Sequence, residues 1–143
     1  MDESVKKAIA QGVDKEPFAR ALKLELVELK DGYSLVSMVY EPDKMDNIYD
    51  RAHGGALFAL IDEAFETAAQ TDGTVAVALN VNVTYVSSPD PGSQLLAEAR
   101  RMSQTKKTAS YDIKVADQNG QIISLCQALA YRTGKPIPFL DTD

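Results

Sequence analysis

The stretch DRAHGGALFALIDEAFETAAQ, residues 50 to 70, limits most sharply what this chain can become. It reads as one long helix from about Gly54 to Gln70, stopped by Thr71-Asp72-Gly73. On a helical wheel Leu57, Leu60, Ile61, Ala64, Phe65 and Ala68 cover more than half of the circumference. Such a helix must be buried on most sides. The remaining stripe holds Gly55, Ala56, Ala59, Asp62, Glu63, Glu66, Thr67 and Gln70, small residues first and polar ones after.

What surrounds the helix is strand. Before it come LKLELVEL (22–29) and YSLVSMVY (33–40), joined through Asp31-Gly32, a strong hairpin signal, and residues 43–52 read as a loop. After it come runs at 75–86, 93–102, 108–117 and 122–132, with turns at Pro89-Asp90-Pro91-Gly92 and Asp117-Gln118-Asn119-Gly120. Short turns make antiparallel neighbours, because parallel strands need a long crossover. Residues 3–11 suggest a short helix ending near Gly12, and PFARAL adds a turn, so the N-terminal helical segment spans about 3–21. The tail, GKPIPFLDTD, reads as irregular. The expected fold is α+β: one antiparallel sheet wrapped around one long central helix, a single domain over residues 1–143.

Composition narrows the function. A net charge of −6 argues against a nucleic-acid surface. No apolar run approaches the ~18 residues of a membrane span. The start, charged from Asp2 onward, carries no signal-peptide core, so a soluble cytoplasmic protein is expected. Cys126 is the single cysteine and sits in an alternating strand pattern, which suits a core position. His53 is the single histidine, so a multi-histidine metal site is excluded and no metal or cofactor is expected. One segment runs against the acidic balance: Arg100, Arg101, Lys106 and Lys107 lie within eight residues, with no acid among them. It is either a solvated hairpin end or a landing site for an anion.

His53-Gly54-Gly55 opens the helix. A helix start offers free N–H groups and partial positive charge to an anion or a polarised carbonyl, and glycine lets a ligand come close. Asp62 stands on the border of the polar stripe, either as its first solvated residue or as a reactive carboxylate. Gly54 and Asp62 are about 12 Å apart along the axis. His53 and Asp62, nine positions apart, point to nearly opposite sides, since nine steps of about 100° leave half a turn. One chain cannot bring both ends around one reacting carbon. Two antiparallel helices in a twofold dimer can, twice over.

At this point the pattern Asn47…His53-Gly54-Gly55…Asp62, then NVTYVSSPDPGSQLLAEAR, then KKTASYDIKVADQNGQIIS, resembles the hotdog-fold acyl-CoA thioesterases of the phenylacetate-degradation (PaaI-like) type, over about Asn47 to Arg132. The resemblance implies a sheet around a central helix, protomers joined into a continuous sheet, and coenzyme A thioesters as substrates. It makes Asp62 the carboxylate that attacks the thioester or activates water, and Gly54 the N–H that polarises the carbonyl. Asn47 would hold the thioester or the water, and His53 would orient. Gly55, Lys106, Lys107 and Thr108 would contact the substrate, the last three along its pantetheine and phosphates. Two departures stand out. Asp50 occupies a position usually small, often Gly, and Ala78 stands where some relatives carry a Ser or Thr that steers water. Asn80, on the same face by simple alternation, could substitute.

Alternation puts Val75, Val77, Leu79, Val81, Val83 and Tyr85 on one face, suited to the helix, and Ala76, Ala78, Asn80, Asn82 and Thr84 on the other. That second face could meet a ligand or a second dimer, so a homodimer or a dimer of dimers is expected. The expected function is hydrolysis of acyl-CoA to free acid and coenzyme A across a dimer interface. The alternative is a non-catalytic module that binds acyl-CoA.

Overall fold

The computed structural model describes residues 1–140. The chain begins with helix α1 (Glu3–Lys15), capped by Asp2, whose carboxylate accepts from the Ser4 N–H at 2.7 Å. Helix α2 (Pro17–Leu22) starts on a proline, whose missing N–H costs a first turn nothing, and ends at Lys23 in the left-handed conformation, φ 54°. Strands β1 (Glu25–Lys30) and β2 (Tyr33–Val39) form the Asp31-Gly32 hairpin. A single helical turn, α3 (Pro42–Met45), leads to the long helix α4 (Gly54–Ala69). Strands β3 (Thr74–Tyr85), β4 (Gln94–Gln104), β5 (Thr108–Ala116) and β6 (Ile122–Pro136) complete the chain.

The six strands make one sheet in the order β1-β2-β4-β5-β6-β3, with every pair antiparallel. Helix α4 packs across its inner face, so the chain leaves β2 near one edge, crosses the sheet, and returns as β3 at the other edge. Leu60, Ile61, Ala64 and Ala68 of α4 are wholly buried. Opposite them the strands present Ala97, Ala99, Ala109, Ala128 and Ala130, and this floor of small side chains lets the helix sit close. Phe65 meets Tyr111 edge to face, ring centres 5.5 Å apart. Each large apolar side chain buried here contributes about 1.5–3 kcal/mol. Cys126 is buried within this core, and burial pushes its thiol up to about 11.

The structure changes several element ends. Helix α1 continues through Gly12 to Lys15, with Gly12 facing the Phe139 ring. Residues 22–24 are taken by the end of α2 and its cap, so β1 starts at Glu25. Part of the tail is strand: β6 runs on to Pro136, which pairs with Thr74. Ile137 then packs with Val5, Ile9 and Leu29, closing a small second core under α1. Residues 141–143 of the tail lie outside the described residues.

Candidate active site

The approach to α4 is a clamped loop. Tyr40 donates to the Asp46 carboxylate, Asp46 bridges to Ala52, and the His53 N–H donates to the Met45 carbonyl at 2.7 Å. Burial, then the bond to Asp46, pushes the Tyr40 phenol up to about 12. Within the loop the Asn47 side-chain oxygen accepts from the N–H groups of Tyr49 and Arg51, at 2.9 and 3.2 Å. Asn47 therefore fastens its own turn with its oxygen, and only its amide N–H groups are left for a substrate. Asp50 adopts φ 55° in that turn, a left-handed conformation that favours glycine.

His53 is the N-cap of α4. Its Nδ1 accepts from the Gly55 N–H at 2.9 Å, so the neutral ring carries its proton on Nε2. The Ala56 and Leu57 N–H groups both turn back to the His53 carbonyl. Of the first-turn donors, the Gly54 N–H alone has no acceptor among the described residues. The Gly55 N–H is taken by the cap. An unspent donor at the positive end of a four-turn helix is what a developing oxyanion requires.

Tyr85, at the end of β3, completes this corner. Its hydroxyl donates to the Gly54 carbonyl at 3.0 Å. A Cβ on residue 54 would lie 3.1 Å from the Tyr85 ring, so the side chain that is missing at Gly54 is the space the ring occupies. Arg51, Gly54, Leu57, Tyr85 and Ser87 line an open cavity of about 360 Å³ here. Sequence reasoning placed Tyr85 among the apolar strand residues and missed this role. Its only signal was its place beside the TYV…P.PG run.

Asp62 opens on a different cavity. It shares about 250 Å³ with Phe65, Glu66, Ala76, Val77, Ala78 and Ala130, on the flank of α4 toward β3. Partial burial pushes its carboxyl above the ordinary value, and the charge of Glu16 adds to this. A raised carboxyl is a better base once ionised. Ala78 does face Asp62, so no hydroxyl is offered at that point of the strand. Within one protomer, then, the Gly54 and Asp62 ends of the helix serve separate cavities.

A bulge in β3 overturns the expected alternation. Ala78 pairs with Ala130 but Asn80 pairs with Leu129, leaving Leu79 as the extra residue. The inserted residue reverses the faces. Ala76 and Ala78 lie toward the helix before it, and Val81 and Val83 after it, while Val77 and Leu79 are exposed. Asn80 therefore lies on the outer face with Leu129, not on the face of Ala78, and cannot steer water beside Asp62 of its own chain. Asn82 and Thr84 join Arg100, Lys114 and Gln127 around a cavity of about 590 Å³ on the outer face of the sheet, away from α4.

The basic segment divides in two. Arg100 is paired with Glu98, and Arg101 with Asp31 at 2.9 Å, so neither is a free cation. Lys106 and Lys107 stand exposed at the β4–β5 hairpin tip, Lys107 over the Tyr131 ring and Thr108 at the start of β5.

Comparison with known proteins agrees with this architecture. The sequence profile of the thioesterase superfamily matches residues 49–124, more than half of the chain. The acyl-coenzyme A thioesterase PaaI of Escherichia coli is 31% identical over 119 residues, 83% of this chain and 84% of that protein. The solved structure of the E. coli PaaI protein superposes with a TM-score of 0.89 at 27% identity, covering 94% of this chain and 97% of the other. A Streptococcus mutans protein bound to acetyl-CoA superposes with a TM-score of 0.75 at 28% identity, covering 80% and 91%. The family profile covers more than half of the chain, and its six-stranded antiparallel sheet around one long helix superposes on solved relatives: this chain is a hotdog-fold member of the thioesterase superfamily and a homologue of the PaaI acyl-CoA thioesterase.

Proposed function

We propose that the protein hydrolyses acyl-CoA thioesters to free acid and coenzyme A, at two equivalent sites that span a twofold dimer. The observation that carries this reading is the split of α4 into two half-sites, an unspent Gly54 N–H in one cavity and Asp62 in another. Antiparallel pairing of two such helices brings Asp62 toward Gly54 of the partner subunit. The edge strand β3 supports the dimer: it has a free hydrogen-bonding side and exposes Val77 and Leu79, the kind of edge that a second copy covers. A second dimer would meet the outer face of the sheet.

In the reaction the thioester oxygen takes the Gly54 N–H, which is worth roughly 3 kcal/mol as negative charge develops there. Asp62 removes a proton from water as the hydroxide oxygen bonds to the carbonyl carbon. Collapse of the tetrahedral species breaks the C–S bond, and the thiolate leaves and takes up a proton. The alternative route has Asp62 itself attack, giving a mixed anhydride that water then opens. In a single turnover in H₂¹⁸O the first route never labels the enzyme, whereas the second leaves the label in the Asp62 carboxylate when water opens the anhydride at the Asp62 carbon. Lys106 and Lys107 are the free cations offered to the phosphates of coenzyme A, with Thr108 and the Asn47 amide as neutral contacts. The residues assigned to these steps supply a carboxylate, an N–H donor and two ammonium groups, and none of the steps calls on a cofactor.

The test is thiol release from short, medium, long and aryl acyl-CoAs, comparing the unchanged protein with Asp62→Asn. Hydrolysis that falls roughly 100-fold or more in the variant supports the reading. Tight acyl-CoA binding without turnover would replace it with a non-catalytic binding module.

A further inference from the structure

Where α4 meets the α1–α2 corner lies a second group of charges, next to the Asp62 cavity, and Glu66 borders both cavities. Glu16 sits at the corner between α1 and α2, as the last cap of one helix and the first of the other. Glu63 and Glu66, three positions apart, share a face of α4. One carboxylate oxygen from each of the three lies within 4.8 Å of the others. Glu63 is only 3% exposed, and among the described residues its Oε1 has no hydrogen-bond partner. A buried carboxylate oxygen without a partner is costly, and a stable fold supplies one.

Lys15 is a basic side chain on the same cavity, and it forms no ion pair with the three carboxylates. None of the salt bridges among the described residues involves Glu16, Glu63 or Glu66. The three carboxylates border a cavity of about 400 Å³, to which Thr67 and Gln70 also contribute, with room for an ion and its waters.

We propose that Glu16, Glu63 and Glu66 bind a hard divalent cation that ties the α1–α2 corner to α4. The donor set is all oxygen, with no histidine or cysteine near, and that chemistry selects Ca²⁺, Mg²⁺ or Mn²⁺ over zinc or copper. The cation gives Glu63 Oε1 its partner and cross-links an N-terminal segment to the central helix, one turn from Asp62.

The experiment uses the full chain, stripped with EDTA and titrated with Mn²⁺ while the free ion is followed by electron paramagnetic resonance. Unchanged protein is expected to bind one Mn²⁺ per chain with a dissociation constant of about 10⁻⁴ M or tighter. Glu63→Gln and Glu66→Gln should each weaken binding at least tenfold. Glu66 is exposed, so its variant keeps the fold and makes the comparison meaningful even where Glu63→Gln does not fold. The melting temperature should rise with Mn²⁺ in the unchanged protein and stay fixed in Glu66→Gln. Absence of saturable binding up to millimolar Mn²⁺, or equal binding and equal melting shifts in the unchanged protein and Glu66→Gln, would overturn the proposal.

Discussion

The Tyr85 hydroxyl donates to the Gly54 carbonyl at 3.0 Å, and the Tyr85 ring fills the space a side chain on Gly54 would need. Strand β3 thereby fixes the first turn of α4 and aims its unspent N–H. A hydrogen bond of this kind contributes about 0.5–1.5 kcal/mol. Tyr85→Phe should therefore lower kcat by up to about tenfold while the circular dichroism spectrum is unchanged. Unaltered kcat would show that the clamp plays no part in aiming the donor.

His53 acts through its cap. Replacing a capping residue by alanine costs about 1 kcal/mol, while another good cap restores it. His53→Asn should keep most of the activity and stability, because a short amide oxygen can accept from the Gly55 N–H as Nδ1 does. His53→Ala should lower both. Chemical denaturation alongside initial rates checks this, and an inactive but fully stable His53→Asn protein would point instead to direct chemistry by the ring.

Asp72 caps the turn after α4, and its pairing fixes a stability dependence on pH. It accepts from the Thr74 N–H at 2.9 Å and from Arg132 at 2.8 Å. Burial pushes the carboxyl up, but the bonds from Thr74 and Arg132 together outweigh it and hold Asp72 below its ordinary 3.8. A depressed carboxyl stabilises the fold above its unfolded value and loses that contribution as pH falls through the folded one. Asp72→Asn should thus be less stable than the unchanged protein at pH 7, and the difference should shrink below about pH 4. Urea unfolding at both pH values measures it, and a difference independent of pH would contradict the assignment.

The helix and its buried face were legible because a 3.6-residue period survives any tertiary context: Leu57, Leu60, Ile61, Ala64, Phe65 and Ala68 are all buried as expected. The β3 faces were not legible. A single inserted residue at Leu79 inverts a two-residue period, and nothing in VALNVNV marks it. The basic segment misled for a different reason. Arg101 finds its partner in Asp31, 70 positions away, and only the fold brings the two together. Glu63 read as part of a solvated strip, yet the α1–α2 corner covers it. Helix geometry alone separates Gly54 from Asp62 along and around α4, whereas the roles proposed for them rest on the family resemblance.

The cross-protomer site is tested most directly by mixing two defective chains. Asp62→Asn removes the carboxylate, and Gly54→Pro removes the N–H. Proline suits the first helical position, and His53 before it is already extended, φ −65° and ψ 133°. The proline Cβ meets the Tyr85 ring at 3.1 Å, so the ring shifts by a few tenths of an ångström within the half-site this variant disables. Each variant alone should be nearly inactive in thiol release. Co-expressed and recovered as mixed dimers at equal levels, half of the dimers carry one intact site of two, so about one quarter of the unchanged activity should return. Activity that stays at the level of the separate variants would mean that Gly54 and Asp62 do not serve one substrate across the interface.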